Sequence, residues 1–367
     1  MSKPNILFIS CFRQYDGWGL AAKDYCRALS TVANVTVRNI FLSNQREKRL
    51  PPDIETLENT SYEKYDFVIQ KCLPNLYYYD GRFKQNIGMM VFETELHNNS
   101  WFNNMNIMDK ILVPSKQEKK WLDMKIKAPV YNVSQPLDVS VATQRYQSLN
   151  DMMRDNKIFK FLFIGEAIQR KGIKELLQAY FAEFTVNDNT LLVIKTNANL
   201  TNEINQIRSS MRRFSYDTKY PQVFLISERI SENDINSLHQ DSHVFIMPSY
   251  GEAFNRPAAK SLLFNKPVIA TVRTGMFDYL NDDIAYPISS YTEQVFCETP
   301  PIPTLYTSDE YHKIPSILSI RSCMRNAFDN KDLYMHKVEN IKKADIAAKF
   351  SYESVGHNIL RAIECQE

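Results

Sequence analysis

The segment Met247-Pro-Ser-Tyr-Gly-Glu-Ala-Phe-Asn-Arg-Pro-Ala-Ala-Lys260 continues directly into Ser261-Leu-Leu-Phe-Asn-Lys-Pro-Val-Ile-Ala-Thr271. It predicts a buried strand that ends at Met247, a polar loop, a short helix and a second strand. Pro257 stands near the predicted helix start, a position that proline tolerates. Parallel α/β sheets bind ligands at the carboxyl ends of their strands, and helix N-termini favour phosphates. Two interpretations follow: an ordinary strand-to-helix connection, or a pocket for a phosphate-bearing ligand.

The bulk composition is that of a globular protein with room for two domains. The chain has 367 residues, of which 44% are hydrophobic and 23% charged, and its formal net charge is +2. No apolar run approaches the ~20 residues that span a bilayer, and the first residues lack the pattern of a cleaved signal peptide. The six cysteines lack C-x-x-C spacing, which argues against a zinc site and a disulfide scaffold. We therefore expect a cytoplasmic protein with reduced cysteines and no transmembrane segment.

Two local stretches are more basic than the chain as a whole. One runs from Ser115 to Lys127, and the other includes Arg208, Arg212, Arg213 and Lys219. Such runs are usually solvated helix faces. The alternatives are contact with an anionic acceptor and peripheral contact with a membrane surface, and the sequence leaves them open.

Short apolar runs alternate with helical stretches in two separate units, which predicts parallel sheets with helices on both faces. In the first unit the predicted strands are Ile6 to Ser10, Val35 to Ile40, Phe67 to Gln70, Met89 to Phe92, Lys110 to Val113 and Val130 to Val133. In the second unit they are Phe159 to Ile164, Leu191 to Lys195, Val223 to Ile226, Val244 to Met247 and Val268 to Ala270. Two such units form a cleft, the usual place for a ligand.

A polar interval from Ser140 to Lys157 separates the two units and predicts a link between them. We therefore expect an N-terminal domain over residues 1–140 and a C-terminal domain over residues 158–345. Residues 346–367 predict a terminal helix, for which Ser351 is a suitable N-cap. We expect this helix to pack back on the N-terminal domain.

Two further segments follow predicted strands and could meet a ligand. Gly17 and Gly19 precede a helix and would let a ligand approach the backbone closely. Their pattern is not G-x-G-x-x-G, because position 22 is alanine, and a plain tight turn is an equal alternative. Arg170 and Lys171 stand at a predicted helix start, where the helix dipole disfavours cations. A phosphate ligand would resolve that mismatch, and a solvent-exposed charged turn is the alternative.

Several of these segments occur in a set order: Gly-x-x-x-x-Arg-Lys-Gly from Gly165, Pro-Ser-x-x-Glu-Ala-Phe-x-x-Pro from Pro248, and Lys-Pro-Val-Ile-Ala-Thr from Lys266. The set resembles the family 4 glycosyltransferases of the GT-B fold, in which two Rossmann-like doubly wound domains face a central cleft. Gly17-Trp-Gly-Leu-Ala, Val91-Phe-Glu-Thr-Glu-Leu-His97, Asp109-Lys-Ile-Leu-Val-Pro-Ser115 and Thr274-Gly-Met-Phe-Asp-Tyr-Leu280 also fit. The resemblance covers nearly the whole chain and thins between Ile288 and Pro315.

The resemblance implies that the C-terminal domain holds a nucleotide-sugar donor. It assigns the diphosphate to Lys171, with Arg170 beside it, and the donor sugar to Glu252. It places His97 on the acceptor side near the reacting carbon, although a lone loop histidine is also commonly a packing residue. The implied catalytic residues are therefore Lys171, Glu252 and His97. The implied donor-binding residues are Gly17, Gly19, Arg170, Lys171, Glu252, Ala253, Phe254, Asn255 and Lys260, with the backbone amides of residues 253–255 facing sugar and phosphate.

Lys260 departs from the family pattern, which carries a second glutamate at this position to accept hydrogen bonds from the nucleotide ribose. A lysine has no acceptor for those bonds. Another group then holds the ribose, or Lys260 reaches a phosphate, or the protein binds the donor weakly or not at all. The intact Lys171 and Glu252 favour the first two explanations.

We therefore expect a retaining glycosyltransferase that uses a UDP- or GDP-sugar, without a metal or a permanently bound cofactor. The acceptor is open among a glycan, a lipid-linked glycan, a protein and a modified DNA base. The alternative is a GT-B-shaped binding or scaffold protein that has lost turnover.

Overall fold

The computed structural model describes residues 3–42, 47, 49–141, 153, 155–211, 219–295 and 305–365. Arg212, Arg213, Cys297 and most of the predicted link between the units lie outside the described residues. The domain bounds at residues 140 and 158 therefore stay a prediction.

The N-terminal part is built on a parallel sheet. Its strands are β1 (Asn5–Ser10), β2 (Asn34–Asn39), β3 (Phe67–Lys71), β4 (Gln85–Met89), β5 (Lys110–Val113) and β6 (Val130–Asn132). Its helices are α1 (Gly17–Val32), α2 (Pro52–Glu58), α3 (Phe102–Met105) and α4 (Lys116–Leu122). The strand order is β2-β1-β3-β4-β5-β6, so the order reverses between β1 and β3. Most of the strands have an apolar centre because a parallel sheet is covered by helices on both faces.

The C-terminal part repeats this plan. Its strands are β7 (Phe159–Ile164), β8 (Thr190–Lys195), β9 (Gln222–Ile226), β10 (Val244–Met247), β11 (Val268–Ala270) and β12 (Ala285–Pro287). Its helices are α5 (Ile173–Glu183), α6 (Thr201–Met211), α7 (Glu232–Asp241), α8 (Arg256–Leu263), α9 (Ile317–Asp329) and α10 (Lys331–Lys343). The order β9-β8-β7-β10-β11-β12 is that of a dinucleotide-binding fold, with its switch point between β7 and β10.

A hairpin and two terminal helices complete the described chain. They are β13 (Ser290–Gln294), β14 (Tyr311–Pro315), α11 (Ile346–Phe350) and α12 (Tyr352–Glu364). The strands of the hairpin are antiparallel. The apolar face of α12, with Val355, Ile359 and Ile363, shares one core with Ala28 and Leu29 of α1. The last helix thus packs on the N-terminal sheet domain.

The two parallel sheets confirm the predicted α/β class, and one predicted strand is wrong. The run from Met89 to Phe92 predicted a strand, whereas β4 ends at Met89. β4 begins with the polar residues Gln85 and Asn86. Asn86 can be buried because its side chain is satisfied: its Oδ1 accepts from the backbone amide of Asp80, and its Nδ2 donates to the carbonyl oxygen of Asp80. A buried polar residue that is satisfied in this way hides the strand from a hydrophobic pattern.

Within the described ranges, no helix combines the length and the apolar character that crossing a membrane requires.

Candidate active site

Two loops meet at the switch point of the C-terminal sheet. One follows β7 and ends in a 3₁₀ turn over Gln169–Lys171, and the other follows β10 and leads into α8. Gly172 has a φ of 69°, the left-handed conformation that disfavours side chains. A Cβ at this position would lie 2.0 Å from the carbonyl oxygen of Pro248, so glycine is required for the loops to touch. The amide of Tyr250 donates to the carbonyl oxygen of Arg170 over 2.7 Å and ties the loops together.

Two cations and two carboxylates form a cluster across this contact. Lys171 Nζ lies 2.6 Å from Glu252 Oε1, and Arg170 Nη1 lies 3.3 Å from the same oxygen. Arg170 Nη1 also donates to the carbonyl oxygen of Gly251 over 2.7 Å. Arg170 Nη2 donates over 2.7 Å to Glu93 Oε1, in the loop after β4 of the N-terminal sheet. We call Glu93, Arg170, Lys171 and Glu252 the switch-point cluster, and it joins the two sheets.

Burial and opposite charge together shift the pKa values of Glu93 and Arg170. Burial raises the pKa of Glu93, and the cations of Arg170 and Lys171 offset this effect only in part. Burial opposes the charge of Arg170, but the carboxylates of Glu93 and Glu252 raise its pKa above the ordinary value. The guanidinium therefore stays charged. Because buried cations need a partner, an incoming anion would compete with the two carboxylates for Arg170 and Lys171.

The loop after β10 adds backbone donors beside the cluster. Within the part of the chain that the structure describes, the amides of Ala253, Phe254 and Asn255 donate no hydrogen bond. All three residues are buried. A buried N–H group without an acceptor is costly, so this row of amides is suited to an anionic or hydroxyl-rich ligand.

The side chains of this loop have structural roles. The ring of Phe254 packs against those of Tyr279 and Phe350, each with centroids 5.2 Å away. Asn255 has a φ of 63° and caps α8, because its side chain accepts from the amide of Ala258 over 3.2 Å. Because the ring of Phe254 is part of the core, any contact of Phe254 with a nucleotide-sugar would be made by its backbone.

The glycines after β1 are explained by the turn itself. The carboxylate of Asp16 caps α1 and accepts from the amides of Trp18 over 2.9 Å and Gly19 over 3.1 Å. A Cβ on Gly19 would lie 2.1 Å from the carbonyl oxygen of Gln14, whereas one on Gly17 would have no atom of the described residues within 4 Å. These contacts fit the tight-turn alternative for Gly19. Contact between these glycines and a diphosphate stays a prediction.

His97 lies in a buried aromatic cluster. Its side chain is 3% exposed, and its ring centroid lies 4.4 Å from that of Phe92 and 6.0 Å from that of Trp121. Burial lowers the pKa of His97 to about 3, so the ring is neutral at physiological pH. Its Nε2 lies 3.9 Å from Oε1 of Glu118, whose pKa is raised by burial well above its ordinary value. The catalytic role of His97 on the acceptor side stays a prediction.

Lys260 contacts the chain segment that leaves the N-terminal sheet. Its Nζ donates to the carbonyl oxygens of Asp138 over 2.9 Å and Ser140 over 3.3 Å. Burial lowers the pKa of Lys260. The position at which the resembled family carries its second acid therefore connects α8 to the first domain in this chain.

Two features of the site were missed from the sequence. The ion pair of Glu93 with Arg170, which joins the two sheets, was not predicted. The hairpin β13–β14 was not predicted, although Tyr311-His-Lys-Ile-Pro315 has some strand character. Its strands are too far apart in sequence for the short turn signals that reveal hairpins.

Residues 150–295 match the family model of glycosyl transferases group 1. Over 142 residues the chain is 26% identical to the capsular polysaccharide biosynthesis glycosyltransferase CapM of Staphylococcus aureus, which covers 39% of this chain and 34% of that protein. The chain thus spans about a third of the length of this curated relative.

Two solved structures show the fold. HepE (Alr3699) of Anabaena, in complex with UDP and glucose, is similar with a TM-score of 0.68 at 12% identity over 98% of this chain and 99% of that one. Sucrose-phosphate synthase of Thermosynechococcus elongatus is similar with a TM-score of 0.66 at 12% identity over 98% of each chain. Similarity to these enzymes over nearly the whole chain confirms the predicted GT-B fold of two Rossmann-like domains.

Proposed function

We propose that the chain is a glycosyltransferase that moves a sugar from a UDP- or GDP-linked donor to an acceptor. The observation that carries this proposal is the switch-point cluster, in which Arg170 and Lys171 lie beside a row of amides that have no acceptor among the described residues. Cations and amide donors thereby converge where open α/β sheets bind ligands. The family match over the same domain and the fold similarity to a protein solved with UDP and glucose support this ligand class.

Donor binding would replace carboxylates by phosphates around the two cations. Arg170 and Lys171 both contact the same oxygen of Glu252. A diphosphate carries more negative charge than this one carboxylate and can accept from both side chains at once. Glu252 is then free to accept hydrogen bonds from hydroxyls of the donor sugar, and the amides of residues 253–255 complete the site.

The chemical contribution of the site is electrostatic. As the bond between the anomeric carbon and the diphosphate oxygen breaks, the leaving diphosphate gains negative charge. Arg170, Lys171 and the loop amides stabilise this charge from a site largely shielded from water, where such interactions are strong. We propose that the reaction retains the anomeric configuration and uses no metal, as the resemblance to family 4 implies.

The proposed acceptor is a glycan or a lipid-linked glycan. The similarity to a capsular polysaccharide biosynthesis enzyme supports this class. Exposed lysines on and after α4 form a basic surface that suits an anionic acceptor or peripheral membrane contact; they are Lys116, Lys120, Lys125 and Lys127. A DNA acceptor would instead be revealed by binding that falls steeply with salt.

The lysine at position 260 favours a second candidate function, that of a GT-B-shaped binding protein with little or no turnover. Its ammonium is engaged with the carbonyls of Asp138 and Ser140, and it offers no acceptor to a ribose hydroxyl. A panel of UDP- and GDP-sugars, scored by thermal shift and by hydrolysis, separates the candidates. We expect one nucleotide to raise the melting temperature and one of its sugars to be hydrolysed or transferred. Binding without turnover would favour the second candidate, and no binding to any nucleotide would contradict the proposed site.

A further inference from the structure

A non-covalent connection joins the two domains beside the switch-point cluster. The hairpin β13–β14 belongs to the C-terminal half of the chain, and one of its residues pairs with the N-terminal sheet domain. The amide of Glu95 donates to the carbonyl oxygen of Tyr311 over 2.8 Å, and the amide of Tyr311 donates to the carbonyl oxygen of Glu95 over 2.9 Å. This is one step of an antiparallel ladder, formed across the boundary between the domains.

Side chains strengthen the same connection. Lys313 Nζ lies 2.9 Å from Glu95 Oε2, with the two side chains 16% and 22% exposed. Two residues before the bridge, Asp309 accepts from the side-chain amide of Asn99 over 3.3 Å. The backbone amide of Lys313 donates over 2.8 Å to the carbonyl oxygen of Tyr250, in the loop after β10. The hairpin is thus bound at once to the N-terminal domain and to the loop that carries Glu252.

The connection lies directly against the switch-point cluster. A Cβ on Gly251 would lie 1.7 Å from the carbonyl oxygen of Glu93 and 3.6 Å from Cδ2 of His312 in β14. The two domains and the hairpin therefore touch at one point, and only glycine fits there. Burial lowers the pKa of His312 to about 4, so this ring adds no charge next to Arg170 at neutral pH.

We propose that the hairpin β13–β14 is a strap that holds the two domains closed around the switch-point cluster and opens when the Glu95–Tyr311 pairing breaks. Two backbone hydrogen bonds, one side-chain hydrogen bond and one partly exposed ion pair are a modest connection, which thermal motion can break and remake. While it is closed, the strap keeps Glu93 within reach of Arg170. The inference does not depend on which ligand the cluster binds.

Disulfide trapping in the full-length chain tests whether the strap closes in solution. Two residues that exchange both backbone bonds have Cα atoms about 5.5 Å apart, which suits a disulfide. In a Glu95→Cys/Tyr311→Cys variant under mild oxidation, we expect the 95–311 cross-link, identified by peptide mass spectrometry. The matched control is Glu95→Cys/Glu293→Cys. Residue 293 lies on the far strand of the same hairpin, about two strand spacings or 10 Å from residue 95, and should cross-link at least ten times more slowly. Equal rates for the two pairs would overturn the proposal.

Charge reversal tests whether the ion pair keeps the strap closed. Lys313→Glu places two carboxylates together, and we expect hydrogen exchange at the amides of Glu95 and Tyr311 to rise about threefold or more. The swapped variant, Glu95→Lys/Lys313→Glu, should restore slow exchange, while exchange in β7 and β8 stays unchanged in both variants and shows an intact fold. Unchanged exchange at both amides in Lys313→Glu would overturn the proposal. Neither experiment uses a nucleotide, so their outcome is independent of the proposed transferase activity.

Discussion

Each of the two parallel sheets has one switch point, and the two switch points differ in their chemistry. Between β1 and β3, Asp16 occupies the amides of Trp18 and Gly19, and Lys71 lies under the Trp18 ring with its Nζ 4.7 Å from the centroid. Between β7 and β10, the amides of residues 253–255 have no acceptor within the described chain, and Arg170 and Lys171 lie beside them.

This difference shows that a strand, a glycine-bearing loop and a helix do not by themselves make an anion site. At the N-terminal switch point the chain supplies its own carboxylate to the helix start and places its cation under an aromatic ring. At the C-terminal switch point, the amides of residues 253–255 have no acceptor within the described chain, and Glu93 and Glu252 hold the two cations, so an anionic ligand would compete with these carboxylates. We therefore expect the C-terminal switch point to supply most of the affinity for a nucleotide.

The largest expected effect comes from removing one cation of the C-terminal switch point. Lys171→Ala should lower donor turnover by about 100-fold or more, because a preorganised charge near the leaving group is lost. Lys174→Ala is the matched control, since Lys174 is an exposed lysine on the adjoining helix α5. Hydrolysis of the preferred nucleotide-sugar is the measurement. Near-normal activity of Lys171→Ala would remove the diphosphate role.

The glycines of the two edges should respond differently to a methyl group. Gly172→Ala places a side chain at a left-handed φ and against the carbonyl of Pro248, and should lower the free energy of unfolding by about 3 kcal/mol. Gly17→Ala meets open space at the first position of α1 and should change it by less than about 1 kcal/mol. Urea denaturation measures both variants. A similar loss of the free energy of unfolding in both variants would show that the two glycine positions are equally crowded.

Acid should weaken the C-terminal domain more than the N-terminal one. His239, His243 and His312 of the C-terminal part have pKa values lowered by burial to about 3, 4 and 4, and His97 is their counterpart in the N-terminal part. A histidine with a lowered folded pKa contributes stability that is complete above its unfolded pKa, 6.5, and is lost as the pH falls toward the folded value.

His239 offers a direct test of this acid dependence, since both its ring nitrogens lack a hydrogen-bond partner in the described chain. Lowering the pH from 7 to 5 should reduce the free energy of unfolding by about 2 kcal/mol through His239 alone. The variant His239→Phe should abolish this contribution. Unfolding is measured at both pH values, with the exposed His336→Gln as the control. An unchanged pH dependence in His239→Phe would mean that the ring is protonated in the fold.

The smallest effect concerns the cap of the N-terminal edge. Asp16→Ala should lower the free energy of unfolding by about 1 kcal/mol, whereas Asp16→Asn keeps an acceptor and should change it less. Nucleotide affinity should stay within about threefold of the original in both variants, because the amides that Asp16 occupies are not the main binding groups. Isothermal titration with the preferred nucleotide checks this point, and a large gain in affinity for Asp16→Ala would contradict it.

The sequence predicted both sheets and the position of Arg170, Lys171 and Glu252 at a strand edge, because apolar strand runs and loop chemistry are local signals. It could not show that Asp16 occupies the helix start, since a capping acid and a ligand satisfy the same amides. Nor could it place Glu93 and the hairpin, whose contacts join residues that are distant along the chain. The burial of His97 likewise depends on Phe92 and Trp121 meeting in the folded domain.

Hydrogen exchange with and without the preferred nucleotide tests the central claim most directly. A bound diphosphate should slow exchange most strongly in residues 169–173 and 250–256, which contain Lys171 and the amides of residues 253–255. The variant Lys171→Ala should abolish this protection at the same nucleotide concentration. Protection that is absent from both segments when the nucleotide is bound would contradict the assignment of the donor site to the switch point between β7 and β10.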